Sequence, residues 1–200
     1  MADDRILYLA RHGETDWNAE GRWQGQTDVP LNERGREQAR AIAERLRGEG
    51  LVSIATSDLL RARSTAGIVA AELGLEVNHV DAALRERRFG CFEGLTRVEV
   101  AARFPDVWAR YLADPGPAPP GGESRSDLLG RLLPAVIDAV ARLAPPLLVV
   151  MHGGAMHALL AGQLGAMPRP GSAAWPLHGI QNGQVYRASL ESRRISLAAL

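Results

Sequence analysis

The feature that most limits what this chain can fold into is the alternation, over its first eighty residues, of short apolar runs with amphipathic helical patterns. Residues 5–10 read as a buried strand. Asn32 and Glu33 then open a helical pattern through Ala39, Ile42, Ala43 and Leu46 that ends near Gly48 and Gly50. Residues 51–56 read as a second strand, 59–73 as a helix closed by Gly74, and 77–80 as a third strand. Parallel neighbours need crossover connections, so this order predicts a mostly parallel sheet covered by helices. Further on, residues 96–103 and 105–112 read as two short helices divided at Phe104-Pro105. Residues 114–122, with four prolines and three glycines, read as a shaped loop. Ser124 and Asp127 begin a longer helix with apolar residues at Leu128, Leu129, Leu132, Leu133, Val136, Ile137 and Val140, which Pro134 is expected to kink. Residues 147–151 give a fourth strand, 155–164 a helix, and 185–190 with 195–197 a closing strand pair. The expected fold is α/β, a three-layer sandwich with a mostly parallel mixed sheet flanked by helices. One domain is expected over 1–200, with a helical and loop insertion at about 95–123.

In open α/β sheets ligands bind beyond the carboxyl ends of the strands, and the reactive residues of this chain fall there. Arg11-His12-Gly13-Glu14-Thr15 follows the first strand, Ser57-Asp58-Leu59-Leu60-Arg61 the second, Arg85-Glu86 the third, and His152-Gly153-Gly154 the fourth. A guanidinium grips phosphate through parallel hydrogen bonds, and a neutral imidazole nitrogen can attack phosphorus, so arginines and histidines gathered at one edge suit phosphoryl transfer. Other classes are excluded by composition. The formal net charge is zero, so no overall basic field draws the chain to nucleic acid or to an anionic membrane. All 23 basic residues are arginine, which removes Schiff-base and P-loop chemistry. Cys91 is the sole cysteine, so neither an intrachain disulfide nor a cysteine zinc cluster can form, and it is expected as a small buried residue. The N-terminus carries no export pattern and no apolar stretch approaches membrane-spanning length, which points to a cytoplasmic protein.

Taken together, Arg11 to Asn18, Gly25 to Leu31, Ser57 to Ala62 with Thr65-Ala66, Leu84-Arg85-Glu86, Phe89-Gly90 with Glu93-Gly94, Gly121 to Ser124, and His152-Gly153-Gly154 resemble the histidine phosphatase superfamily. This is the family of the cofactor-dependent phosphoglycerate mutases and small bacterial phosphomonoesterases. The resemblance covers almost the whole chain and implies a phosphoglycerate mutase-like fold. It implies that His12 is the nucleophile, that Arg11, Arg61 and His152 surround the phosphoryl oxygens, and that Glu86 donates a proton to the leaving alkoxide and then activates water. It further implies substrate-binding positions at Asn18, Thr15, Gln24, Gly25, Arg87 and Gly153, with neither metal nor other cofactor; Thr15, like Glu14, is expected first to brace the loop, with contact to substrate as its second reading. For Glu86 to serve as acid, Arg85, Arg87 and Arg88 must turn their side chains away from it. Arg131 is expected in a structural ion pair. His79, His157 and His178 are expected as strand, helix and loop residues.

Within that family a phosphatase passes the phosphoryl group to water and a mutase to a second substrate hydroxyl. The start Arg-His-Gly-Glu-Thr and the Glu93-Gly94 pair resemble the phosphomonoesterases. Residues 108–120 hold a single arginine, Arg110, where mutases carry a pair. The Glu86-Arg87 step resembles mutases, and Arg87 is then the candidate for a substrate carboxylate or a second phosphate. The expected activity is hydrolysis of a small anionic phosphomonoester, with phosphoglycerate mutase as the alternative and an inactive binding protein as a third reading. The expected assembly is a monomer or homodimer. Trp17, Arg22, Trp23, Phe89, Phe92, Trp108, Tyr111 and Pro119-Pro120 are the candidate pocket walls.

Overall fold

The structure, a computed structural model, describes residues 5–164, 180–191 and 194–198. In chain order its elements are β1 (Arg5–Arg11), α1 (Asp16–Ala19), α2 (Glu33–Leu46), β2 (Ser53–Thr56), α3 (Leu60–Leu73), β3 (His79–Val80), α4 (Arg97–Arg103), α5 (Pro105–Ala113), α6 (Arg125–Arg142), β4 (Leu147–Met151), α7 (Gly153–Leu164), β5 (Val185–Glu191) and β6 (Arg194–Ala198). Short 3-10 turns occupy Ala82–Leu84 and Gly90–Phe92.

The six strands form one sheet in the order β3-β2-β4-β1-β5-β6. The first four are parallel where they pair, and β5 and β6 close the far edge antiparallel. The pleat sends successive side chains to opposite faces, and each face has its own helices. Leu7, Leu9, Val149 and Met151 pack with Leu128, Leu132 and Val136 of α6 and Met156, Leu159 and Leu160 of α7. Tyr8, Ala10, Leu148 and Val150 pack on the other side with Ile42, Ala43 and Leu46 of α2 and Ala62, Ala66 and Val69 of α3. This is the expected three-layer mixed sheet. All five residues of β4 are buried, as its continuous apolar run requires for a strand covered on both faces.

The helix starts are set by side-chain caps. Asn32 accepts from Gly35 N at 2.8 Å at the head of α2, and Ser124 with Asp127 forms both limbs of a capping box at α6. Helix α6 continues across Pro134. Two expectations need correction. The third strand is only His79–Val80, because Asn78 spends its side chain and its N–H on Ile54 instead of extending the ladder. Cys91 is half-buried rather than buried, at the edge of the cluster formed by Phe89, Phe92 and Val100.

Residues 95–123 lie over the carboxyl edge of the sheet: α4, α5 and the loop after them contribute Thr96, Arg97, Val98, Trp108, Tyr111, Leu112 and Pro115 to one wall of the main cleft. The loop after β1 meets the first turn of α2 in a close approach of backbone to backbone. A Cβ at Gly13 would overlap the carbonyl of Gly35, and one at Gly35 would overlap that of Glu14. Gly35→Ala is therefore expected to cost about 1–3 kcal/mol of stability, since neither partner is a flexible side chain. Urea unfolding checks this, and an unchanged midpoint would count against the close packing.

Candidate active site

Three adjacent strands deliver the reactive groups. Arg11 ends β1 opposite Met151 of β4, and His12 N donates to Met151 O at 3.0 Å, so His12 and His152 leave the sheet side by side. Their rings lie 5.2 Å apart between centroids. Ser57 leaves β2 beside Val150, and three residues later α3 begins, carrying Arg61 on its first turn. Both histidines and Arg61 are at most 2% exposed.

The imidazole of His12 is held by its Nδ1, 2.6 Å from the carbonyl of Gly13. A carbonyl only accepts, so Nδ1 carries the proton and Nε2 keeps its lone pair. Burial first, and then the charges of Arg61 and Arg11, hold the His12 pKa well below 6.5; burial, Arg61 and His12 do the same to His152. Both rings are therefore neutral in the ligand-free protein.

The two guanidiniums are fixed by backbone carbonyls. Arg61 donates from Nη1 to Thr27 O at 2.8 Å and from Nη2 to Gly25 O at 2.7 Å, and Arg11 donates from Nη1 to Ile180 O. Burial pushes the Arg11 pKa down to about 10, opposed by Glu86, so it stays charged. Among the described residues, Nε of Arg11, Nε of Arg61 and both ring nitrogens of His152 are buried with no hydrogen-bond partner. Buried polar atoms are nearly always satisfied, and a knot of such atoms beside two cations has the chemistry of an oxyanion site.

Glu86 is 8% exposed and accepts from the N–H of Arg87 and of Gly154, each at 2.7 Å. Its arginine neighbours do turn away. Arg85 pairs with Asp58 through two hydrogen bonds, Arg88 is exposed, and Arg87 donates to the carbonyls of Glu123, Pro115, Gly116 and Pro117. Arg131 forms the expected ion pair, with Glu123, and also donates to the carbonyls of Ala83, Arg85 and Glu86. The backbone that carries Glu86 is thereby held from below. A Cβ at Gly154 would fall 2.7 Å from Glu86 Oε1, so only glycine lets α7 begin against the carboxylate.

The remaining expected site residues divide. Asn18, Gln24, Gly25 and Gly153 line the cleft. The Asn18 Oδ1 accepts from Thr15 and Asn182, which turns the carbonyl end of the amide to the protein and leaves Nδ2 as the donor toward a ligand. Thr15 is fully buried, its hydroxyl caps α1 and it does not line the cleft, so the structure gives it the bracing role expected first and not the substrate contact. Arg87 is corrected, because its guanidinium is committed to four loop carbonyls although it borders the cleft. Arg22, Trp23, Phe89, Trp108 and Tyr111 are walls, while Trp17, Phe92 and the two prolines are not; Phe92 is fully buried beneath Trp23 and Tyr111. His79 lies in β3, His178 lies outside the described residues, and His157 of α7 faces the cleft with Arg125. Sequence reasoning missed Asn182, which donates to His12 O at 3.0 Å, and Arg125; neither has a motif of its own. Among the described residues no group of His, Cys, Asp and Glu is placed to hold a metal ion, and no helix is long and apolar enough to cross a membrane.

The neutral histidines have a consequence for stability. As pH falls through about 6.5 an unfolded histidine takes a proton while buried His12 and His152 do not, so the unfolded state binds more protons and stability drops. Each can contribute up to about 1.4 kcal/mol per pH unit over that window. Unfolding free energies measured from pH 7.5 downward should fall below pH 6.5, and His152→Asn should flatten the slope; a slope identical in the variant would contradict a neutral buried His152.

Comparison with known proteins agrees with this geometry. Residues 7–200 match the family profile described as histidine phosphatase superfamily (branch 1). A glucosyl-3-phosphoglycerate phosphatase of Mycolicibacterium vanbaalenii is 40% identical over 169 residues, covering 80% of this chain and 75% of the relative. A probable phosphoglycerate mutase GpmB of Yersinia enterocolitica is 40% identical over 168 residues, covering 81% and 76%. The solved structure of a mycobacterial glucosyl-3-phosphoglycerate phosphatase in complex with VO3 superposes with a TM-score of 0.82 at 36% identity, covering 98% of each chain. The chain belongs to the histidine phosphatase superfamily, branch 1.

Proposed function

We propose that this chain hydrolyses a small anionic phosphorylated metabolite through a phosphohistidine on His12, with water as the final acceptor. The observation that carries the reading is the Nδ1 contact of His12 to Gly13 O, which leaves the Nε2 lone pair beside Arg11, Arg61 and His152. Nε2 attacks phosphorus in line. The arginines and His152 meet the charge spread over the three equatorial oxygens, and Asn18 Nδ2 adds a neutral donor. As the ester bond breaks, Glu86 gives its proton to the departing alkoxide. The same carboxylate then takes a proton from water as that water attacks the phosphohistidine, which releases phosphate and restores His12. Gly154 N and Arg87 N hold Glu86 in place and leave a lone-pair direction on each oxygen for this traffic.

Two observations support hydrolysis over transfer to a second hydroxyl. The guanidinium of Arg87, the candidate carboxylate ligand of a mutase, is spent on the loop, and Arg110 is exposed and does not line the cleft. The cleft, about 950 Å³, is also far larger than a phosphorylated three-carbon acid. Its wall includes Trp23, Trp108 and Tyr111, aromatic area of the kind that packs on the apolar part of a sugar or similar ring. The glycosylated phosphoglycerate named for the mycobacterial relatives is a substrate of that size and class. We place the reaction within a single domain in the cytoplasm, with neither nucleic acid nor membrane as a partner.

The test is phosphate release from a panel of phosphomonoesters in excess EDTA, with 3-phosphoglycerate assayed with and without 2,3-bisphosphoglycerate. Release is expected despite the chelator, with an acid-labile, base-stable phosphoprotein trapped on rapid quenching. His12→Ala should abolish both, and Arg61→Ala should slow turnover on the order of a hundredfold or more. Conversion of 3- to 2-phosphoglycerate only after priming, without hydrolysis, would replace this reading with a mutase.

A further inference from the structure

We propose that Glu93 is a positioning residue for Arg61, holding the guanidinium that meets the phosphoryl group through the peptide unit between Gly25 and Gln26. This rests on the phosphatase reading above and deepens it.

The link is one peptide long. Gly25 O accepts from Arg61 Nη2 at 2.7 Å, and the N–H of the same peptide unit, on Gln26, donates to Glu93 Oε1 at 3.3 Å. The C=O and N–H of a trans peptide point in opposite directions, so the guanidinium and the carboxylate face the two ends of one dipole, each at the end of opposite charge. Thr27 is held in a similar way. Its carbonyl accepts from Arg61 Nη1 at 2.8 Å, while its N–H and hydroxyl donate to Glu93 Oε2 at 3.2 and 2.7 Å. Gly25 has φ +53°, and a Cβ there would fall 2.1 Å from Glu93 Oε1, so only glycine lets the loop lie against the carboxylate.

Glu93 is fixed from its own side as well. Oε1 also accepts from Phe89 N at 2.9 Å, and residues 93–95 are stapled to Trp23 by Gly94 N to Trp23 O at 2.8 Å and Trp23 N to Leu95 O at 2.9 Å. Glu93 does not line the cleft, so it acts on substrate only through Arg61. Burial lowers the Arg61 pKa, and Glu93 is one of the charges, after Glu86 and Asp28, that oppose this. Among the described residues Arg61 Nε has no partner, so its aim at an oxyanion depends on where the two carbonyls hold the other nitrogens. A displacement of about 1 Å in such a group can cost on the order of a hundredfold in rate.

The test is a double-mutant cycle of Glu93→Gln and Arg61→Ala, read in kcat/KM for p-nitrophenyl phosphate and in the calorimetric Kd of orthovanadate. Glutamine keeps one oxygen and loses the charge and the acceptor facing Thr27. Glu93→Gln alone should lower kcat/KM and weaken vanadate binding about tenfold each, and in the Arg61→Ala protein the same change should cost about twofold or less. A residue that only stabilises the fold would cost the same factor in both backgrounds; that result, or no loss in either, overturns the proposal. Thr27→Val removes the hydroxyl bond alone and should lose a smaller factor with the same dependence on Arg61, which Thr27→Ser restores. That pair carries the cycle if Glu93→Gln does not fold. Vanadate binding that follows the cycle in a protein releasing no phosphate refutes the phosphatase and keeps the positioning role. Phosphate release with equal losses in both backgrounds does the reverse, and a protein that neither releases phosphate nor binds vanadate overturns both.

Discussion

Two guanidiniums buried within reach of one another are the constraint around which the rest of this structure is arranged. Removing a charge from water costs several kcal/mol unless it is met by compensating dipoles or counter-charge. Arg61 is 1% exposed, and its compensation comes from the carbonyls of Gly25 and Thr27, with Glu86 as the largest opposing charge. Arg11 takes the carbonyl of Ile180 and the same carboxylate. The two loops over the edge of the sheet, one before α2 and one before β5, are therefore folded onto cations. Burial first, and then the positive field that results, keep both histidines neutral, which is the protonation state a nucleophile on phosphorus requires.

A second tier of charges keeps that arrangement from collapsing. Four arginines lie within the few residues around Glu86 in sequence or in space, and any of them could quench it. Asp58 takes Arg85, loop carbonyls take Arg87, and Glu123 takes Arg131. Arg131 gives its other hydrogens to carbonyls on either side of Glu86. It acts on the carboxylate only by positioning its backbone.

Much of this was legible in the sequence because local rules and the global fold agree. The continuous apolar run of β4, the Asn32 and Ser124 caps, and Pro105 at the head of α5 each determine an element without help from distant residues. The constellation of the candidate site was legible because its members sit in motifs at strand ends. Elements that depend on tertiary partners were not. α1 is a single turn capped by Thr15 and Asn18, and sequence shows neither that both join one cap nor that Asn18 alone of the two also lines the cleft. Arg87 looked available because sequence shows a side chain's charge and conceals which carbonyls a distant loop will bring to it. Asn182 had no pattern to announce it, since its bond to His12 O exists only once the segment before β5 has docked.

The clamp made by Arg87 has a consequence for how such an enzyme can diversify. Residue 87 directly follows Glu86, the proposed proton donor, and its guanidinium is fastened to the carbonyls of Pro115, Gly116 and Pro117 beside the cleft. Any insertion or deletion that shifted those three carbonyls would tug on the peptide unit that also donates to Glu86. Room for evolutionary drift in specificity therefore lies on either side of 115–117, in the faces of α4 and α5 and in the loop approaching Ser124. The three residues in between act as a hinge pin whose length is set by the chemistry.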